Sequence, residues 1–82
     1  MMTYTEALEE IDEIVEVIDE IEEDYPEVWD KAHSRGFDME DIRDRILSVR
    51  ETIEKNVDVT HKQSRAINNW GDAIRGWHPD KE

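Results

Sequence analysis

The apolar residues of this chain recur at alternating intervals of three and four, a spacing that fits one face of an α-helix and no strand. With Tyr4 at the first heptad position, Tyr4, Ile11, Ile18, Tyr25 and Ala32 fall at a. Ala7, Ile14, Ile21 and Val28 fall at d, and Leu8, Val15 and Trp29 at e widen the stripe. This is the pattern of an amphipathic helix with a coiled-coil-like seam. A second stretch repeats the spacing as Met39, Ile42, Ile46, Val49 and Ile53. Its frame then crosses the polar Asn56, Thr60 and Gln63 before recovering at Ile67, Trp70, Ile74 and Trp77.

Local signals divide the pattern. Thr3 with Glu6 has the form of a capping box at the start of the first helix. Pro26 would remove a hydrogen bond and clash with the preceding turn in a helix interior, at about 3 kcal/mol. Yet the heptad phase runs through it, so the spacing predicts a helix over about 4–34 with a kink or a tight break at Pro26, where Asp24 or Tyr25 could cap a fresh start. Gly36 ends it, after Lys31, His33 and Arg35, which suit a helix C-terminus. Asp38 with Asp41 opens a second helical segment over about 39–57. Thr60 and Gln63 can form another capping box, giving a third or continuing segment over about 60–77 and a frayed tail over 78–82. The expected fold is therefore all-α. It is one domain spanning 1–82, an antiparallel helical hairpin or small three-helix bundle with coiled-coil-like heptad seams. A chain of this length buries only about 60–65% of its unfolded surface. A homodimer or a stable complex would supplement so small a core.

Charge is distributed unevenly. The first 30 residues hold 13 Asp and Glu and no Lys or Arg, whereas the remaining 52 hold 10 acidic and 10 basic residues. A net charge of −13 repels anionic lipid and nucleic acid phosphate, so no direct nucleic acid or membrane partner is expected. Halophilic acidity would be spread over the whole surface, and residues 31–82 are neutral. The chain has no cysteine, no secretory signal pattern and no long apolar run, which together predict a cytoplasmic protein.

The acidic residues are also ordered. Glu6, Glu13, Glu20 and Glu27 occupy c, and Glu9, Glu16, Glu23 and Asp30 occupy f, with Glu10, Asp12, Asp19 and Asp24 beside them. At about 1.5 Å per residue, the row is about 36 Å long. Seven i,i+4 pairs within it are both acidic. At about 0.2–0.5 kcal/mol each, they cost on the order of 1.5–3.5 kcal/mol before salt screening. A chain that tolerates this is expected to use the field. The expected function is a non-enzymatic acidic protein that docks on a basic surface of a nucleic-acid-binding partner protein. Glu6, Glu9, Asp12, Glu13, Glu16, Asp19, Glu20, Glu23, Glu27 and Asp30 form the docking face. In size, charge and helicity the chain resembles the small acidic DNA-mimic inhibitors that phages and mobile elements use against host nucleases, restriction or CRISPR effectors and polymerases. No family motif accompanies that resemblance. The alternative is a structural or assembly bundle that oligomerises through its seams, with the charge serving solubility.

Other features weigh less. Arg43, Arg45 and Arg50 flank the second seam and can pair with Glu22 and Asp24 at the end of the first helix. Asp30-x-x-His33 and Asp58-x-x-His61 have a ligand spacing but fall at outward positions, so no metal and no cofactor is expected. No nucleophile and base share a motif, so no catalytic residue is assigned. Trp70 and Trp77 are in phase with the seam, which favours core; with Trp29 they are also candidates for an aromatic anchor.

Overall fold

The computed structural model describes residues 2–79. Among these, four α-helices and no strand are found: α1 (Tyr4–Asp24), α2 (Pro26–Ser34), α3 (Met39–Asn56) and α4 (His61–Trp77).

Each boundary has a chemical cause. The Thr3 hydroxyl accepts the Glu6 N–H, and the Glu6 carboxylate accepts the Thr3 N–H at 2.9 Å, which closes a capping box over α1. Of the kink or tight break expected at Pro26, the chain takes the break, a complete stop and restart. A residue before proline is pushed out of the helical region. Tyr25 accordingly sits at φ −133°, ψ 60°, and Pro26 opens α2 where its missing N–H costs nothing. Gly36, at φ 86°, then ends α2 in a Schellman motif. The Phe37 N–H donates to the Ala32 carbonyl at 2.9 Å and the Gly36 N–H to that of His33 at 3.0 Å. Asp38 caps α3 by accepting the Asp41 N–H. A second capping box, between Thr60 and Gln63, starts α4, so the chain breaks between Asn56 and His61.

The apolar stripes meet in one core. Ile11, Ile14, Ile18 and Ile21 of α1, Met39, Ile46 and Ile53 of α3, and Ile67 and Ile74 of α4 are fully buried. Burying each such side chain contributes about 1.5–3 kcal/mol. Ala7, Ala32 and Val59 complete the cluster. In the polar stretch of the second seam the buried residues are Val59 and Ser64, while Thr60 is exposed. Arg43 reaches Asp19 and Glu22 while Arg50 reaches Asp12, so α3 runs opposite to α1. The links Met2–Ser64, Glu10–Arg75 and Glu20–His78 place α4 alongside α1 in the same direction. The two helices come close at Gly71, where a Cβ would lie 3.0 Å from both Arg75 Nη1 and Glu10 Oε2. Helix α1 is therefore flanked on both sides.

His78, placed in the tail expected to fray, caps α4 and lies edge-on to Tyr25 with ring centroids 5.4 Å apart. Residues 80–82 of that tail lie outside the described residues. No helix among the described residues is long and apolar enough to cross a membrane.

Candidate functional site

Flanking by α3 and α4 sorts the carboxylates of α1 into two groups. Those beside α3 meet arginines. Arg43 Nη1 donates to Asp19 Oδ1 at 2.6 Å and to Glu22 Oε1 at 2.9 Å. Arg50 holds Asp12 through Nε at 2.9 Å and Nη2 at 3.3 Å, and also meets Glu54 at 2.9 Å. Those beside α4 meet Arg75, 2.7 Å from Glu10, and His78, whose Nε2 is 3.0 Å from Glu20. The Asp12 and Glu10 hydrogen bonds hold the guanidinium protons of Arg50 and Arg75 more tightly than in free arginine. Arg43 does not take Asp24, and Arg45 pairs within its own helix with Asp41 at 2.8 Å.

Besides Asp24 at the end of the helix, Glu9, Glu13, Glu16 and Glu23 remain. All four are exposed, and none has an ion-pair partner among the described residues. Glu27 and Asp30 are exposed on α2, beyond the break at Tyr25, so the row is not a single rod. Glu6 is exposed too, but its carboxylate serves as a cap. The Thr3 backbone N–H and then the Thr3 hydroxyl hold it below the ordinary carboxylate value. Of the ten expected docking residues, Asp12, Asp19 and Glu20 thus have internal partners and Glu6 has a local task. Glu9, Glu13, Glu16, Glu23, Glu27 and Asp30 face solvent.

The field is nonetheless large. Helix α1 holds 11 carboxylates between Glu6 and Asp24 and no cation. Subtracting Arg43, Arg50 and Arg75 leaves 11 − 3 = 8. Spread over about 27 Å of helix, that is about one charge per 3.4 Å, the axial density of a single DNA strand within a duplex. Glu6, Glu9 and Glu13 also form one wall of an open cleft, opposite His61, Arg65 and Asn68 of α4.

The tryptophans lie elsewhere. Trp29, Trp70 and Trp77 are partly buried against the core. Arg43 lies over the Trp29 ring at 5.7 Å, and Phe37 meets Trp77 at 6.0 Å. The exposed large apolar residues are Leu47 and Val57, which the heptad reading did not single out. Both fall outside its seam, so periodicity gives no signal for them. Among the described residues no group of three or more His, Asp and Glu is placed to hold a metal ion. His33 instead faces the Trp29 carbonyl and Asp38.

No model of a known family, no curated protein and no solved structure matches this chain.

Proposed function

We propose that this chain is a non-enzymatic acidic binding protein that docks on the basic, nucleic-acid-binding surface of a partner protein, occupying it in place of DNA. The observation that carries this reading is the division of α1. Its flanking carboxylates are ion-paired by Arg43, Arg50, Arg75 and His78, whereas Glu9, Glu13, Glu16 and Glu23 are exposed and form no ion pair among the described residues. A helix held on both flanks presents those four groups on a backbone that is already ordered, so docking costs side-chain freedom alone. Attraction between opposite fields steers the encounter and weakens as salt rises.

Oligomerisation through the seams has less support, because Ala7, Ile11, Ile14, Ile18 and Ile21 have zero exposure within one chain. The test is capture of basic nucleic-acid-binding proteins from a cell lysate on the immobilised chain at low and high salt. The expected result is capture at low salt that duplex DNA competes away. Capture indifferent to both salt and DNA would contradict the proposal.

A further inference from the structure

His33 closes the last turn of α2, and both of its ring nitrogens face oxygen. Nδ1 lies 2.8 Å from the Trp29 carbonyl and Nε2 lies 3.2 Å from Asp38 Oδ1. Neither oxygen can donate: one is a peptide carbonyl, and the other already accepts the Asp41 N–H as the cap of α3. A neutral imidazole carries one N–H and one bare lone pair, so it can satisfy only one of the two. The other nitrogen would then point a lone pair at an oxygen. Only the doubly protonated ring donates both ways. We propose that His33 acts as a proton-dependent clasp, which in its imidazolium form ties the C-terminus of α2 to the N-terminal cap of α3.

The surroundings favour the cation. It sits at the negative end of one helix dipole and bridges to a carboxylate at the positive end of the next. On the α3 side Asp38 and Glu40 face it with negative charge. Its own helix supplies the Trp29 carbonyl, and the Trp29 ring lies against it at 4.9 Å. Arg43, the cation that lies over that ring, is occupied by Asp19 and Glu22 of α1. The Trp29 carbonyl first, and then, after an opposing effect of burial, Asp38, raise the His33 pKa above its ordinary 6.5. A raised value means that the clasp adds stability below the unfolded value and loses it as pH rises through the folded one. The segment it fixes spans the Gly36 turn and holds α2 against α3.

The test is a titration of the His33 ring by nitrogen-detected NMR in the full chain, with Asp38→Asn beside the wild type. Asparagine caps a helix as well as aspartate, so this variant removes the charge and keeps the fold. The wild-type ring is expected to carry both protons at pH 6 and to titrate above 6.5, with the midpoint falling in Asp38→Asn. In parallel, the melting advantage of wild type over His33→Gln should be larger at pH 6 than at pH 8.5. A midpoint at or below 6.5, or one unmoved by Asp38→Asn, overturns the clasp, as does a melting advantage independent of pH.

Discussion

Glu16 and Asp19 stand three residues apart on α1, and their surroundings assign them opposite roles. Asp19 meets Arg43 at 2.6 Å, whereas Glu16 has Asp12 and Glu20 one turn away on either side and no cation beside it. Asp19→Lys should therefore lower stability by about 1 kcal/mol, from a lost pair and a new repulsion with Arg43. Glu16→Lys should leave stability unchanged or raise it by about 0.5 kcal/mol, since two like-charge neighbours become opposite-charge ones. Urea unfolding of the two variants checks the contrast, and equal effects would contradict the sorting of the face. Glu6 makes a separate prediction. Its lowered pKa means that its charge adds stability above pH 4.5, which is lost as pH falls through the folded value. Glu6→Gln keeps the capping geometry, as Gln63 does at the other box, so the melting difference between wild type and variant should shrink below pH 4.5. The two groups of carboxylates were not separable in the sequence. Arg75 lies 65 residues from Glu10, and nothing local reveals that pairing.

Among the helices, what could be read beforehand is what short-range chemistry decides. Thr3 with Glu6, Asp38 with Asp41, Gly36 after Lys31, His33 and Arg35, and Thr60 with Gln63 all end or begin helices through groups within five residues of one another. At Pro26 the sequence leaves a kink and a break both open, because the apolar phase continues beyond it. Phase reports which side faces the core and says nothing about whether the backbone between is helical. Val57 is the least legible boundary. It adopts φ 49°, in the left-handed region where glycine or asparagine is usual, and is 66% exposed. Val59, two residues on, is buried. Composition alone does not tell the two valines apart. Val57→Gly should relieve the strained C-cap and raise stability by about 0.5–1 kcal/mol in thermal or urea unfolding. Thr60→Ala, which removes a capping oxygen, should cost about 1 kcal/mol.

For the whole molecule, the heptad spacing announced that helices would pack through their isoleucines, and the charge count announced that one helix would be acidic. The spacing left open which helices flank α1, and that arrangement decides which carboxylates face outward. Glu9, Glu13, Glu16 and Glu23 form the outward row, and changing them separates a docking face from a solubilising one. The variant with all four replaced by lysine should be as helical as the wild type and about as stable, because the repulsion relieved along α1 offsets the lost attraction between Glu13 and Arg75. Salt-dependent capture of basic nucleic-acid-binding proteins by this variant, measured beside its melting curve, is the decisive experiment. The account predicts that capture vanishes while the melting temperature holds. Undiminished capture, or a variant that unfolds, would contradict it.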